Sequence, residues 1–592
     1  MREHYIKRNK RNSTPSKILF YDTETHQRKQ DNKTIHTLKL GVARYVEIRK
    51  NQIARDKYYV FHTPEEFWNI VEKLSEEKKR LWLIAHNQHF DFNVVNGFEE
   101  LGKRGWKLEK IVMETDIFFL TYRKKNKTLL IVDSMNYFKT SIEEMGKQIG
   151  IPKLKVDFQN VADEKLLEYC KRDVEILSEY FLRFLKWWRE NNLGNFSKSV
   201  AGLAFNSFKH RFLKHKILVH FNQEAIQLEL ESYRGGRNEC FFLGEVNEKI
   251  YKLDVNSMYP FVMRYNPYPI KLRKILTDVT VDKLRILLER YLGIADVYIE
   301  TDEPAYGIKR NKLIFPIGSF RAVLTTPELK YALEHNHIKK IYKVALYDPG
   351  YIFKDYVDYF YNIKLEAEKQ GDKLTRNFAK LMMNSLYGKF GQRVRELTEI
   401  TYPTIMKYGS ITAVDLDTQE KYKIYFINGK PYKLEKTHKL FYDGSISIAS
   451  HVTAYARMYL YFLMKTAGLD NVYYTDTDSL FVNQRGFENL KPFIGEQLGF
   501  LKIEGETDNL IIYGLKDYRF GNERKIKGVK PESPQIADNI YLVETWHRTK
   551  TLITKGYTGQ VITENRVKIL QRTYDKGIVT ETGRVKPLVL KE

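Results

Sequence analysis

The chain has 592 residues, 43% hydrophobic and 14% aromatic, a composition that excludes an intrinsically disordered protein and predicts about three to four domains. Its 98 lysines and arginines outnumber its 74 acidic residues, and the formal charge of +24 favours a polyanionic partner, nucleic acid before an anionic membrane. Two cysteines, Cys170 and Cys240, exclude a disulfide framework or a cysteine zinc site, and the lack of a membrane-length apolar run or secretory signal predicts a soluble cytoplasmic protein.

Residues 1–17 are polar and basic and predict a mobile arm that can touch nucleic acid. The apolar runs KILFYDTETH, RLWLIAHN and TLLIVDS predict strands. The segment DEKLLEYCKRDVEILSEYFLRFLKWWRE, with apolar residues three and four apart, predicts a helix whose Trp187 and Trp188 pack in a core. This alternation predicts an α/β domain over residues 18–190.

Four carboxylates in this domain are candidate catalytic groups. Asp22 and Glu24 lie two residues apart on one strand and therefore face the same way. Asp91 follows an apolar strand, and Asp173 lies one helical turn from Tyr169 on the same face. Each signal is weak alone, because Asp-x-Glu is common by chance and Asp173 also fits a solvated helix residue paired with a lysine or arginine.

The sequence SYRGGRNE at 232–239 follows this domain. Gly235 and Gly236 allow a backbone to approach closely, and Tyr233 and Arg234 can meet a phosphate or a base. A simple Gly-Gly turn is the alternative interpretation.

Two further acidic segments lie far apart in the sequence. In KLDVNSMYP, Asp254 ends a short strand, and in YYTDTDSLFV, Asp476 and Asp478 lie at a hairpin turn and face the same way. Neighbouring anions repel each other unless a cation lies between them, so the three carboxylates fit a Mg²⁺ site for two-metal phosphoryl or nucleotidyl transfer. Taken alone, the hairpin fits an acidic turn and Asp254 fits a cap.

Between these segments, residues 352–369 and 372–390 predict two helices separated by Gly371, as in a helix–turn–helix finger. The second helix has a largely apolar face of Leu374, Phe378, Leu381 and Ser385. Another face carries Lys373, Arg376, Lys380, Asn384 and Tyr387. Cations followed by an amide and a ring suit a nucleoside triphosphate, although an ordinary amphipathic helix with solvated lysines shows the same pattern.

Residues 396–443 are strand-like, with a turn at 428–432, and the basic tail from about residue 506 has short strand-like runs.

DVNSMYP, KLMMNSLYGKFG and YTDTDS resemble the three polymerase motifs of family B DNA polymerases, in their usual order. The resemblance implies a right-hand domain of palm, fingers and thumb, in which two Mg²⁺ or Mn²⁺ ions are held by Asp254, Val255 and Asp478, with Asp476 assisting. It implies that the triphosphate is bound by Lys380, with help from Arg376 and Lys364. Tyr259 would exclude a ribose 2′-hydroxyl, and Asn384 and Tyr387 would contact the nascent base pair.

Other motifs resemble DNA-contacting segments of the same family. SYRGGRNE resembles the YxGG motif, with DNA contacts implied for Tyr233, Arg234, Gly235 and Gly236. LKDY resembles the K-x-Y motif that steadies the primer end, which implies that role for Lys516 and Tyr518. KGY at 555–557 is a rival match.

The order D-x-E, N-x-x-F-D and Y-x-x-x-D resembles the 3′–5′ exonuclease of proofreading polymerases, a ribonuclease-H-like domain. The resemblance implies that two metal ions are held by Asp22, Glu24, Asp91 and Asp173, while Tyr169 orients the attacking water. It implies that the frayed 3′ strand is held by His86, Asn87, Phe90 and Ser134, and that Lys155 contacts the scissile phosphate.

The short chain and the small helical finger resemble the protein-primed branch of the family from small linear-genome phages. This resemblance implies a monomer that binds template and primer DNA, deoxynucleoside triphosphates and a terminal protein, with strand displacement, in the host bacterial cytoplasm and without a membrane. It divides the chain into a basic arm (1–17), exonuclease (18–190), linker and palm start (191–261), palm and first insertion contacting the terminal protein (262–350), fingers (351–395), second insertion (396–443), palm (444–505) and thumb (506–592). The second insertion is longer and more strand-like than usual in that branch.

Three alternatives remain open. A conventional family B polymerase would use a nucleic-acid primer and would not depend on a terminal protein. A nuclease with a non-catalytic polymerase-like half would leave the Lys380 helix and Tyr259 unexplained. In a basic nucleic-acid-binding scaffold, Asp254→Ala and Asp478→Ala would leave every activity unchanged.

Overall fold

The computed structural model describes residues 3–114, 116–158, 161–393, 396–416, 419–434 and 441–592. Helices within these ranges lack the combination of length and apolarity that a bilayer-spanning segment requires.

The amino-terminal region shows the predicted alternation of strands and helices. Its strands are Lys17–Gln30, Lys33–Arg49, Gln52–Phe61, Arg80–Ala85, Lys107–Met113, Phe118–Lys124 and Lys127–Asp133. Its helices are Pro64–Leu74, Gln88–Val94, Gly97–Lys103, Ser134–Asn136, Ile142–Ile149 and Asp163–Glu190. Arg80–Ala85 is parallel to both of its neighbours, Lys17–Gln30 and Lys127–Asp133, so three strand ends meet at one edge of the sheet.

The long helix Asp163–Glu190 packs on this sheet through its apolar stripe. Trp187 and Trp188 are buried, as predicted, and Trp188 donates its indole N–H to the Gly194 carbonyl at 2.8 Å.

The amino-terminal arm is anchored over its described part, which corrects the prediction of a mobile arm. His4–Tyr5 pairs with Leu218–Val219, and Ile6 is buried and donates its N–H to the Ile217 carbonyl. The cause is a single apolar side chain in a polar stretch, which gives the arm a point of attachment. Residues 1–2 lie outside the described residues.

The central sheet brings the two acidic segments together. Its strand order is Asn238–Cys240, Val472–Asp476, Ser479–Asn483, Ile250–Val255 and Leu501–Thr507. The strand that carries Asp254 lies beside the hairpin, with Asp254 opposite Ser479. The predicted strands and the predicted hairpin are therefore confirmed.

The predicted finger consists of Lys354–Lys369 and Lys373–Asn384, with Gly371 between them in the left-handed region at φ +70°. The second helix is shorter than predicted, because it ends at Asn384 and Tyr387–Phe390 forms a separate short helix. The Ser385 hydroxyl donates to the Leu381 carbonyl at 2.6 Å and satisfies an acceptor of the last turn.

The apolar face of the second finger helix is also shifted from the prediction. The fully buried side chains are Phe378, Ala379, Met382 and Met383, whereas Leu374, Leu381 and Ser385 are half-buried. The helix packs against Lys354–Lys369, the amino-terminal helices and Met258–Tyr265, so more than one face is covered, while the short helix Tyr387–Phe390 packs against Ile446–Ala467.

The two predicted insertions belong to different sheets. Residues 268–350 contribute Tyr268–Thr277, Leu292–Thr301, Ile317–Thr325 and Ile338–Gly350. Residues 396–434 contribute Leu397–Glu399, Gly409–Val414, Lys421–Ile427 and Lys430–Leu434, which extend the amino-terminal sheet through the pair Leu397 and Ile111. The predicted turn holds Asn428 and Gly429 at positive φ, as a two-residue hairpin requires, and residues 417–418 and 435–440 lie outside the described residues.

The tail contacts three other parts of the molecule. Leu510–Gly514, Asp517–Phe520 and Glu523–Ile526 continue the small strand Gly244–Val246. Gln535–Ala537, Ile540–Trp546 and Val561–Ile569 join the amino-terminal sheet, and Val589–Lys591 pairs in parallel with Ile317–Thr325. The other helical elements are Val200–Ser207, Phe208–Phe212, Gln223–Ser232, Met258–Tyr265, Val281–Arg290, Thr326–Glu334, Leu469–Asn471, Gln484–Leu490, Lys491–Phe493 and Thr549–Thr554. The other strands are Ile308–Lys309, Leu313–Ile314, Gly577–Val579 and Val585–Pro587.

Candidate active sites

The four predicted amino-terminal carboxylates converge, and we call them the amino-terminal centre. Burial raises the pKa of Asp22 to about 7 and that of Glu24 to about 9, with repulsion from Asp173 adding to both. Burial and the nearby Asp22 also hold the pKa of Asp91 well above its usual range, although the Thr23 hydroxyl donates to its Oδ1 at 2.7 Å. Each carboxylate thus lies within the field of the others.

Lys153 is the cation in contact with this centre, and sequence reasoning missed it. Its ammonium forms an ion pair with Asp173 and lies 4.7 Å from the centroid of the Tyr169 ring. Although burial opposes it, Asp173 raises the pKa of Lys153. The predicted Lys155 is exposed to solvent, so the structure assigns the contact with the carboxylates to Lys153. Both lysines lie in one loop, and the sequence pattern offered no means of choosing between them.

The donor set of the amino-terminal centre fits divalent metal ions. The Oδ1 atom of Asp173 is buried and has no hydrogen-bond partner among the described residues. Ligand atoms of Asp22, Glu24 and Cys170 lie within 4.8 Å of one another. A cluster of buried carboxylates with raised pKa values and an unpaired oxygen would be stabilised by cations such as Mg²⁺ or Mn²⁺.

The residues predicted to hold a frayed strand lie next to this centre. Asn87 is exposed and adopts φ +93°, a strained conformation fixed because Asp133 accepts the N–H groups of Asn87 and Gln88 at 3.1 and 2.8 Å. His86 shares a hydrogen bond of 2.8 Å with the buried Ser134 hydroxyl. Phe90 is half-buried on the helix that also carries Asp91.

The central sheet and its hairpin form a second site, the central centre. Burial raises the pKa of Asp254 to about 7, with Asp478 and Glu504 adding to the effect and Lys380 opposing it. Burial likewise raises the pKa of Asp478 to about 6. The Val255 N–H donates to the Asp478 carbonyl at 2.8 Å, which fixes the two acidic segments together. Carboxylates from two adjacent strands are a suitable donor set for divalent cations, with Val255 offering its carbonyl.

The hairpin turn is strained and closely packed. Thr477 adopts φ +66°, which is unfavourable for a β-branched residue, and its N–H donates to the Arg237 carbonyl at 2.8 Å. A Cβ atom on Gly236 would lie 2.8 Å from the Thr477 side chain, whereas one on Gly235 would meet open space. The second glycine of the YRGG motif is therefore needed for the turn to approach.

Asp476 and Lys516 form an ion pair at 3.4 Å, so this carboxylate is directed to the tail side of the turn. The Lys516 backbone N–H also donates a hydrogen bond to the Tyr474 hydroxyl at 3.0 Å. Tyr518 is buried against Tyr474 and Phe481, and its predicted contact with DNA stays a prediction. The rival motif at 555–557 ends a helix that packs on the amino-terminal region, away from this hairpin.

Glu504 is a fourth acidic group of the central centre that sequence reasoning missed. It lies on Leu501–Thr507, next to the Asp254 strand, where the register shifts between Lys252 and Leu253. It raises the pKa of both Asp254 and Asp478 and lies 3.6 Å from the Lys252 ammonium. Its only sequence signal is an acidic residue in an alternating strand, which many surface strands share.

The polar face of the second finger helix is confirmed, with exposed Lys373, Lys380 and Asn384. Lys380 lies close enough to the central centre to lower the pKa of Asp254 and Asp478. Arg376 pairs with Glu368 at 2.7 Å, and the buried Lys364 lies 3.7 Å from the same carboxylate. Glu368 therefore holds two of the three predicted triphosphate ligands together.

Tyr259 and Tyr387 are stacked, with ring centroids 4.5 Å apart and an interplanar angle of 21°. Tyr233 packs so closely on Gly391 that a Cβ there would lie 2.7 Å from the Tyr233 ring. Tyr259, Tyr387 and Tyr233 thus place three predicted aromatic rings close to one another and to Asp478. Arg234 is instead buried, and its Nε and Nη1 have no hydrogen-bond partner among the described residues. Its predicted DNA contact stays a prediction, because a ligand could reach Arg234 only through the cleft that this residue lines.

A family model, curated relatives and solved structures that match this chain are all described as DNA polymerases. Residues 151–467, more than half of the chain, match the family described as type B DNA polymerases, organellar and viral. A probable DNA polymerase of Neurospora intermedia is 27% identical over 339 residues, 54% of this chain and 34% of that protein. The DNA-directed DNA polymerase of Enterobacteria phage PRD1 is 26% identical over 381 residues, 62% of this chain and 63% of that protein. The chain thus spans about one third of the fungal relative.

A solved structure aligns with nearly the whole chain. Phi29 DNA polymerase complexed with primer-template DNA and incoming nucleotide substrates gives a TM-score of 0.68 at 18% identity, covering 94% of this chain and 100% of that chain. This similarity confirms the predicted fold, a ribonuclease-H-like domain followed by a right-hand domain of palm, fingers and thumb.

Proposed function

Because the chain belongs to the organellar and viral family of type B DNA polymerases, we propose that it is a template-directed DNA polymerase with a 3′–5′ proofreading exonuclease. The observation that carries the proposal is the pair of separate carboxylate centres, each with its own lysine and its own strand-binding or nucleotide-binding residues.

At the central centre, the primer 3′-hydroxyl attacks the α-phosphate of a nucleoside triphosphate and pyrophosphate leaves. Asp254, Val255 and Asp478 would hold two divalent cations, which would supply activation of the hydroxyl and neutralisation of the phosphate charge. Lys380 and Arg376 bind the triphosphate from the finger helix. Arg376 is paired with Glu368 in this structure, and phosphate oxygens would replace that carboxylate as its partner. The stacked Tyr259 and Tyr387 bind the sugar and the nascent base pair.

At the amino-terminal centre, a water attacks the last phosphodiester of an unpaired 3′ end. The bond from phosphorus to the 3′ oxygen of the preceding nucleotide breaks, that oxygen takes up a proton, and a nucleoside 5′-monophosphate is released. Asp22, Glu24, Asp91 and Asp173 would hold two cations that supply the same chemistry as in synthesis. Tyr169 and Lys153 lie in contact at the edge of the cluster, where a hydroxyl can orient the water and an ammonium can bind the phosphate.

We also propose that synthesis starts from the hydroxyl of a terminal protein and displaces the downstream strand. The support is the pair of predicted insertions, 262–350 and 396–443, which lie on opposite sides of the fingers in the sequence and whose described strands belong to two different sheets. A polymerase that uses only nucleic-acid primers is the alternative. Transfer of a labelled nucleotide to a protein, in a form resistant to nucleases, would favour protein priming.

The test of the two activities is extension and degradation of labelled DNA with Mg²⁺. Asp478→Ala should lose synthesis by at least about a hundredfold and still degrade single strands, while Asp22→Ala/Glu24→Ala should do the reverse. Asp470→Ala is the matched control, because Asp470 is exposed near the same hairpin outside both centres. If Asp478→Ala retains synthesis, the central centre is not the polymerase site.

A further inference from the structure

The tail is fixed directly beside the amino-terminal centre. Its strand Val561–Ile569 pairs with Lys33–His36, and Thr549 forms hydrogen bonds of 2.9 Å with both His89 and Asn93. Lys550 adds an ion pair of 2.8 Å with Glu114. These partners are on or next to the helix Gln88–Val94, so the tail has a fixed position relative to Asn87 and Phe90.

A chamber of about 640 Å³ lies between the tail and this helix. The amino-terminal region contributes Asn87 and Phe90, two of the residues predicted to hold a frayed strand. The tail contributes Trp546, Arg548 and Arg566. A volume of this size falls within the range of pockets that enclose a small organic ligand.

Trp546 is unusual among the six tryptophans of the chain. It is 42% exposed, whereas the other five, Trp68, Trp82, Trp106, Trp187 and Trp188, are all buried. Its ring lies 5.6 Å from Phe90, nearly edge-on, and 5.1 Å from His36. Its indole N–H donates to Glu544 at 2.9 Å, which fixes the orientation of the ring while one face stays open.

Three cations, Lys139, Arg548 and Arg566, line the chamber together with three acidic residues, Asp116, Asp133 and Glu544. Arg548 is exposed and forms no side-chain ion pair within the described parts of the chain. Arg566 is held by Glu564 at 2.6 Å, and Lys139 donates to the Asp116 carbonyl at 2.9 Å. An open ring with an unpaired guanidinium next to it is the arrangement that binds a base and its phosphate in single strands.

We propose that the tail forms half of the single-strand site, with the open face of Trp546 stacking on a base of an unpaired DNA 3′ end beside Phe90 and Arg548 binding its phosphate. This inference rests on the proposed exonuclease and names residues that the motif resemblance does not reach. The tail would then hold the strand that the amino-terminal centre degrades.

Tryptophan fluorescence tests the proposal without catalysis. The probe is a short oligo(dT), added in the absence of divalent cations so that the strand stays intact. Oligo(dT) should quench the exposed Trp546 of the wild-type protein, and Trp546→Phe should remove that quenching. Trp546→Ala should weaken binding of the oligonucleotide by about tenfold, since base–aromatic stacking contributes about 1–3 kcal/mol per base.

Matched variants separate stacking from general damage to the tail. Val567→Ala changes an exposed apolar residue on the adjacent strand outside the chamber and should bind oligo(dT) like the wild type. Arg548→Ala should weaken binding and reduce its dependence on salt. In the double variant Phe90→Ala/Trp546→Ala, the loss should be smaller than the product of the single losses, because both rings act on one base.

The outcomes distinguish this inference from the proposed function. If the wild type neither binds nor degrades single strands, the exonuclease proposal itself fails. If the wild type degrades them but Trp546→Ala binds oligo(dT) as tightly as Val567→Ala, the chamber proposal is overturned and the exonuclease stands. Binding by the wild type without quenching would overturn the stacking role as well.

Discussion

In the amino-terminal centre the pKa of Glu24 rises to about 9, whereas in the central centre the pKa of Asp478 rises only to about 6. Both centres gather several carboxylates, and burial is the first cause of the pKa shift in each. They differ in the compensation that the protein itself provides.

The amino-terminal centre draws its carboxylates from a strand and two helices inside the core, with Lys153 in direct contact. The central centre lies at the ends of adjacent strands of the central sheet, where Lys380, Lys252 and Lys516 surround Asp254, Asp478 and Asp476. The difference teaches that the carboxyl groups of the amino-terminal centre depend more strongly on bound cations to ionise than those of the central centre. Its stability, and not only its activity, should therefore respond to metal ions.

The largest expected effect comes from removing Lys153, the cation that is paired with Asp173 in the amino-terminal centre. Lys153→Ala should reduce degradation of single-stranded DNA by about a hundredfold, because it removes both the partner of Asp173 and a phosphate ligand. Lys155→Ala, in the same loop but exposed, is the control and should change the rate little. Equal losses of degradation rate in the two variants would show that the loop acts only as a basic surface. Lys153 would then have no special role in compensating the charge of the amino-terminal centre.

The contrast predicts a pH-dependent gain in stability from Glu24→Gln. The pKa of Glu24 lies above its unfolded value, so ionisation costs nothing below about pH 4.5 and destabilises the fold progressively as pH rises toward about 9. Without metal, Glu24→Gln should raise the free energy of unfolding by roughly 1–3 kcal/mol at pH 8 and by little at pH 4.5.

The measurement is the thermal unfolding of the full chain in EDTA at both pH values. Asp254→Asn is the comparison from the central centre, and its gain should be smaller. Mg²⁺ should then stabilise the wild type more than Glu24→Gln. A larger gain for Asp254→Asn would reverse the proposed order of the two centres.

The sequence predicted the acidic groups well because their spacing carries information. Two-residue steps on strands placed Asp22 with Glu24, and the hairpin placed Asp478 beside the Asp254 strand. The alternation of strands and helices predicted the amino-terminal fold for the same reason.

Other features depend on contacts that no spacing encodes. Lys153 and Lys155 differ only in the path of their loop, and Glu504 reaches the site through the strand register of a neighbour distant in sequence. The arm is anchored by one buried isoleucine, and the second finger helix ends early because Ser385 bonds to its last turn. Tertiary packing decided each of these outcomes.

The tail offers two lysines that can be tested against each other. Lys516 lies 3.4 Å from Asp476, whereas Lys555 ends a helix packed on the amino-terminal region. Lys516→Ala should raise the primer-template concentration needed for half-maximal synthesis by about tenfold, because it removes a phosphate ligand beside the hairpin. Lys555→Ala should have a smaller effect on synthesis. A larger effect of Lys555→Ala would transfer the primer-binding role to the motif at 555–557.

The smallest expected effect concerns Glu504, the acidic group that makes the central centre more like the amino-terminal one. Its carboxylate raises the pKa of Asp254 and Asp478, so replacing it with Gln should lower those pKa values and weaken the local negative field. We expect the Mg²⁺ concentration for half-maximal synthesis to rise about twofold to fivefold, since cations are attracted by the summed charge of the site. Glu506→Gln is the matched control, because Glu506 lies on the same strand and pairs with Lys249 instead. If Glu504→Gln lowers the Mg²⁺ requirement, repulsion among the carboxylates outweighs their attraction for the cation, and the two centres are limited by the same effect.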